Sequence, residues 1–191
     1  MIQRMRCIYK QTKTNNIMAE KIILKARIAG IDFAPVITSE AGISTAVWEA
    51  QPLTLKDDEV SVVEADPTES EVFSHENDSP EDYELTGTGL SCVGTFIKAT
   101  IDQMADLLGG TVSGTGATTM YSHPGTKTML NKAIRYRLKN GGAIIIPCAK
   151  GSVQFNAKFS ADGLLKLPFK FKALVQTGYN VDLIIKDTVT V

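Results

Sequence analysis

Carboxylates are the side chains with the most chemistry to offer here, and they are concentrated. Asp57, Asp58, Glu59, Glu64, Asp66, Glu69, Glu71, Glu76, Asp78, Glu81, Asp82 and Glu84 fall within one run that no Lys or Arg interrupts. Three chemistries fit such a run. It is a solvated loop kept in water by its charge, a set of oxygen ligands for Ca²⁺, or a self-association surface that meets basic strands of a neighbouring subunit. The D-x-[DN]-x-[DN]-G spacing of a calcium loop is missing. Val60, Val62, Val63, Val72 and Phe73 are interleaved with the acids, and a purely solvating run seldom carries them, which favours the third reading. A counterpart exists in the same chain: from Tyr121 onward eleven basic residues stand against three acids.

The other reactive types are scattered. Cys7, Cys92 and Cys148 are odd in number, far apart and in no CxxC pattern, and the histidines are His75 and His123. That argues for reduced, intracellular thiols and against a disulfide framework or a zinc site. Ser91-Cys92 and Ser122-His123 stand alone, and no G-x-S-x-G elbow surrounds a nucleophile. The glycine-rich stretch from Gly109 to Gly125 lacks the Lys-Ser or Lys-Thr of a phosphate loop. Paired carboxylates in a cleft would suit a glycosidase. Yet the acids sit in one segment, aromatics are 7% of the chain, and Trp48 is the only tryptophan to offer a sugar platform. The expectation is a protein without catalytic residues, metal or cofactor.

What must position the charged segments is a globular body. The chain has 191 residues, 43% hydrophobic and 21% charged, with net charge −1, which excludes a mostly disordered protein and a general nucleic-acid binder. One domain of ordinary size accounts for the length, and no apolar run reaches 18 residues, so no membrane span is expected. Residues 1–17 carry Arg4, Arg6, Lys10 and Lys13 and no acid. They read as a basic leader, disordered or an upstream-start extension, ahead of a natural start at Met18. Removing those four positive charges from the net −1 leaves −5 on a single domain spanning 18–191.

The body reads as strands. Ile22 to Ile28, Ile43 to Ala50, Leu53 to Leu55 and the valines at 60–63 open it, and Tyr83 to Gly89 and Leu90 to Ala99 follow. Ile101, Met104, Ala105 and Leu108 recur at i, i+3, i+4 and i+7, which predicts one short helix over 100–108, stopped by Gly109-Gly110. Ile134, Tyr136 and Leu138 alternate with Arg135, Arg137 and Lys139 before an Asn140-Gly141-Gly142 turn. Ala143 to Ile146 is continuously apolar, with Pro147 limiting its pairing. Val153, Phe155, Ala157 and Phe159 form one alternating face, turned at Asp162-Gly163 and answered by Leu165, Leu167, Phe169 and Phe171 against Lys166, Lys170 and Lys172. Val181 to Val191 supplies a last strand. The predicted fold is mainly β: an antiparallel β-sandwich or split barrel with one short helix and a long acidic loop over 57–84.

This layout resembles the major tail tube proteins of long-tailed bacteriophages and their relatives in contractile injection systems. Three features carry the resemblance: the short helix at 100–108 between two groups of strands; the long acidic insertion leading into Thr-Gly-Thr-Gly-Leu at 86–90; and the amphipathic Leu-Lys-Leu-Pro-Phe-Lys-Phe-Lys-Ala-Leu strand at 165–174 before a final β segment. The resemblance covers residues 18–191 and implies a structural subunit that assembles, in the host cytoplasm, into stacked hexameric rings of a virion tail. Its partners would be further copies of itself and the terminator, tape measure and baseplate proteins. DNA would pass through the channel without specific binding, since a positive wall would hold phosphates by many contacts while a negative one lets the duplex slide.

Carried over, 57–84 becomes the inter-subunit segment, with Glu69, Glu71, Glu81 and Asp82 as candidates for the lumen or a subunit contact. Arg135, Arg137, Lys166, Lys170 and Lys172 become candidates for the opposing basic surface, set against the plain reading that they form an ordinary wet sheet face. The basic leader has no counterpart in the family's pattern. The competing class is a monomeric β-sandwich binding module or a capsid decoration protein; a binding module would stay monomeric and offer a concave or aromatic site.

Overall fold

The computed structural model describes residues 27–87, 89–160 and 163–186. The basic leader, the start at Met18, most of the run from Ile22 to Ile28, Asp162 of the expected turn and the end of the last strand lie outside the described residues. The elements run β1 (Ile28–Ala34), α1 (Glu40–Thr45), β2 (Glu49–Ala50), β3 (Leu53–Thr54), β4 (Ser61–Glu64), β5 (Thr68–Phe73) and β6 (Pro80–Thr86). They continue with β7 (Leu90–Ile97), α2 (Ile101–Leu108), β8 (Thr111–Ser113), β9 (Met120–Ser122) and β10 (Leu130–Leu138). The last four are β11 (Ala143–Val153), β12 (Asn156–Ala157), β13 (Leu165–Ala173) and β14 (Ile184–Lys186).

The large sheet has the order β2-β1-β10-β11-β13-β7-β3, with β4 also on β7, β12 on β13 and β14 on β11. Every pairing is antiparallel. Among the described residues the path does not close, so the architecture is a folded-over antiparallel sheet, a β-sandwich rather than a barrel. Strand β11 makes the bend. It pairs with β14 over Ala143–Ile145 and with β13 over Ala149–Val153, on the same side. Pro147 falls in the gap between those partners, where no ladder donor is needed, and its carbonyl accepts the Ile37 amide at 3.0 Å.

One core fills the fold. Phe33 meets Phe96 and Phe171 edge-on at 6.2 and 5.5 Å, and Phe96 stacks on Phe169 at 4.5 Å. These rings pack with Ile31, Ile134, Tyr136, Ile146 and Leu167. Gly94 stands opposite Phe169 across β7 and β13, and a Cβ there would lie 2.6 Å from the Phe169 ring. The glycine therefore supplies the space that the ring fills. Helix α2 closes one side with Leu107 and Leu108, held by a capping box between Thr100 and Gln103 and ended by Gly109 at φ +76°.

A second, smaller cluster lies on the other face of β1, β10 and β11, where Ile37 and Ile43 cover Ala34, Ala133, Ala143 and Ile145. This cluster corrects the prediction of one helix. Residues 40–45 are helical, not strand, because Ser39 caps the Gly42 amide at 3.3 Å and the alanines below let a short helix approach the sheet. Six residues are too few to show a helical period. A second correction concerns Phe155 and Phe159, expected on a buried face. Strand β11 ends at Val153, β12 is two residues long, and both rings point outward, Phe159 with 97% of its surface exposed. The expected hairpin at Asn140-Gly141-Gly142 forms as predicted: Gly141 has φ +90° and the Leu138 amide donates to the Gly142 carbonyl at 2.8 Å.

Replacing Gly94 with Ala is expected to destabilise the fold by about 1–3 kcal/mol, because Phe169 must leave its rotamer or β7 must shift. Equilibrium urea unfolding measures it, and a midpoint equal to wild type would refute the packing described.

Candidate self-association surfaces

The acidic segment is not the loop that its composition predicts. Strands β4, β5 and β6 run through it, and β5 and β6 form a separate two-stranded sheet. β-branched and aromatic residues among the acids give it strand character, and Ser74–Ser79 turns it. Every residue of β5 and β6 is exposed, and neither strand packs substantially on another element. The register puts Glu69 opposite Leu85 and Glu71 opposite Tyr83. By strand alternation Glu69, Glu71, Phe73, Tyr83 and Leu85 share one face. Asp82 stands opposite Val72 on the other face. Glu81 occupies the irregularity beside Phe73 and accepts hydrogen bonds from Ser74 Oγ at 3.0 Å and Asn77 Nδ2 at 3.3 Å. Of the four predicted acids, the fold therefore brings Glu69 and Glu71 together, turns Asp82 away and commits Glu81 to the turn.

The predicted basic residues divide as well. Arg135 and Arg137, half-buried on β10, are engaged within the chain. Both reach Asp32, which is 3% exposed, on the neighbouring strand β1. Arg135 Nε donates to Asp32 Oδ2 at 2.9 Å and Arg135 Nη2 lies 2.8 Å from the same oxygen. Its guanidinium also sits 4.6 Å from the centre of the Trp48 ring. Arg137 Nε is 2.9 Å from that oxygen, yet its buried N–H has no hydrogen-bond partner. The contact is Coulombic, and it is the weaker half of the clamp. Sequence reasoning missed Asp32; its signal is an acid in an apolar strand, Ile31-Asp32-Phe33, facing the Arg-Tyr-Arg of β10.

Lys166 donates to both carboxylate oxygens of Asp58 at 3.2 Å. The Thr95 hydroxyl and then Lys166 hold the Asp58 carboxyl below the usual carboxylate range. Lys170 and Lys172 remain exposed on β13. Lys172 stands directly opposite Lys150 on β11, and among the described residues none of these three lysines has a carboxylate within ion-pair distance. Like charges across a strand pair are unfavourable, so this stripe suits an anionic neighbour.

Among the described residues Cys92 and Cys148 are both buried free thiols. Burial pushes Cys92 up to about 11 and also raises Tyr136 beside it, whose hydroxyl has no hydrogen-bond partner. A cleft of about 490 Å³ opens between the end of α2, the segment 123–128 and Phe155. His123 meets Tyr121 and Phe155 edge-on there, at 6.2 and 6.4 Å. Among the described residues no cluster of His, Cys, Asp and Glu could hold a metal ion, and no helix is long and apolar enough to cross a membrane.

Asp32→Ala leaves two guanidiniums without their carboxylate and is expected to cost about 3 kcal/mol in urea unfolding, against about 1 kcal/mol for Arg137→Ala. Arg135→Ala should cost more than Arg137→Ala, and equal costs for the two arginine variants would contradict the unequal clamp. For Asp58, the folded carboxyl titrates lower than the unfolded one. Its contribution to stability is thus complete above the ordinary carboxylate range and lost as pH falls through the folded value. Lys166→Met should move the Asp58 titration upward when followed by carboxyl NMR, and an unmoved curve would contradict the pairing.

No protein-family model matches this chain, and no curated protein matches it.

Proposed function

We propose that the chain is a structural subunit of a phage tail tube, polymerising into stacked rings of six around a negatively lined channel for DNA, in the virion tail. The observation that carries this reading is the β5–β6 hairpin. An isolated two-stranded sheet is marginal in water, and this one exposes Phe73, Tyr83 and Leu85 on one face beside Glu69 and Glu71. A solitary domain gains nothing from holding those rings in solvent, whereas an assembling one buries them against a neighbour. The body supports the same reading: a rigid antiparallel sandwich with its charge separated between an acidic hairpin and lysine-bearing strands. The acids that do not enter subunit contacts are the source of the negative lining, with DNA repelled from the wall rather than held by it.

A second reading, a monomeric binding module or a capsid decoration protein, draws on the 490 Å³ cleft beside Phe155. The two separate on oligomeric state. Full-length protein, concentrated and examined by negative-stain electron microscopy and sedimentation velocity across a salt series, is expected to form rings or hollow tubes of uniform width. Growth should weaken at high salt, where charge attraction is screened. Replacing 67–87 by a short Gly-Ser link is expected to abolish assembly while leaving the melting temperature of the body unchanged. A single chain at every concentration and salt would overturn the tube reading.

A further inference from the structure

The strand register fixes where the hairpin leaves the body. Strand β7 begins at Leu90, paired with Glu64 of β4, and the chain between them is the hairpin. It ends at Ile97, next to the start of β13, since Leu167 pairs with Phe96 and Lys172 with Ser91. The nine residues of β13 separate those two ends by about 27 Å at ~3.4 Å per residue. At the far end, opposite the hairpin, lies a second exposed apolar group: Phe155, Phe159 and Leu164. Of these, Phe155 also lines the 490 Å³ cleft, together with Lys127.

The two ends are matched in character and opposed in charge. Residues 68–86 contain seven acids and no Lys or Arg, around Phe73, Tyr83 and Leu85. Around the far rim Lys127 and Lys158 carry positive charge, and no acid falls between Asp106 and Asp162, the latter outside the described residues. Asp58 does approach this rim, but it is already bound by Lys166. Apolar side chains set among acids at one pole and beside two lysines at the other make surfaces that complement each other but not themselves. A contact between them is heterologous, so each copy offers one donor and one receptor and the chain of contacts continues.

We propose that the receptor for the acidic hairpin is this far rim, Phe155, Phe159 and Leu164 with Lys127 and Lys158, on a second copy of the same chain, giving head-to-tail growth along the direction of β7. The proposal rests on the self-association reading above and names its partner surface. It sets the Lys150, Lys170 and Lys172 stripe aside as receptor, because that stripe is polar and offers the hairpin rings no apolar surface beyond Val63 and Val93 beside it.

Two variants test it, both on exposed side chains and both first checked for unchanged circular dichroism and melting temperature. One alters the rim, Phe159→Asp with Lys158→Glu; the other alters the hairpin, Phe73→Asp with Tyr83→Ser, so that the two altered surfaces are both acidic and repel. Each alone is expected to stop as a discrete unit, single chain or closed ring, with the concentration needed for growth raised by about 30-fold or more. An equimolar mixture should give species of twice that unit's mass and no larger, since one intact hairpin meets one intact rim and the remaining surfaces are both disabled. Sedimentation velocity reads each case. A rim variant that assembles like wild type overturns the receptor assignment while leaving self-association intact, and so does a mixture that stays at unit mass. Wild-type protein that never assembles overturns both readings.

Discussion

Pro147 has no amide proton to donate, and the whole sheet turns around that fact. Strand β11 keeps β10 on one side along most of its length but gives its other side first to β14 and then to β13. A residue with a free N–H at the gap would need a partner; proline needs none, and its carbonyl is taken by Ile37. Because β11 changes partner there, β13 and β7 can fold over the core while β14 stays with the outer cluster. The aromatic group of Phe33, Phe96, Phe169 and Phe171 then closes between strands far apart in sequence. The position of β7, and with it the exit point of the hairpin, depends on that closure.

Much of this was legible in the sequence, for reasons that can be named. The alternation in Leu165–Phe171 survives because β13 buries one face along its length, so period two and burial coincide. Helix α2 was readable because its eight residues complete two turns, although Leu107 is buried where the apolar stripe did not place it. The same reasoning failed at Phe155 and Phe159. Periodicity reports which residues could share a face, not whether a neighbour covers it, and here β12 stops after two residues. Composition misled in the acidic segment, where charge density suggested a loop and β-branched residues made strands.

The charged sites show the same limit. Arg135 and Arg137 look like surface residues when counted by type, and only the register with β1 reveals that Asp32 claims both. An ion pair between residues more than a hundred positions apart leaves no local trace. Lys166 is similarly claimed by Asp58, whereas Lys150, Lys170 and Lys172 keep their charge available. Net charge near zero over the chain thus hides a molecule in which opposite charges inside the body are used for folding and the unmatched ones are displayed.

The hairpin has one property that the body lacks. In β10 or β13 a slip of one residue would turn apolar side chains to water, so burial fixes the pairing. Strands β5 and β6 expose both faces, and nothing underneath penalises a slip; only the irregularity at Phe73 and the Glu81 contacts with Ser74 and Asn77 hold them in step. A neighbouring surface that accepts Phe73, Tyr83 and Leu85 together would accept one alignment of the two strands and reject the others. Assembly would then do for this ribbon what a hydrophobic core does within a domain, selecting a single fold from several of similar energy.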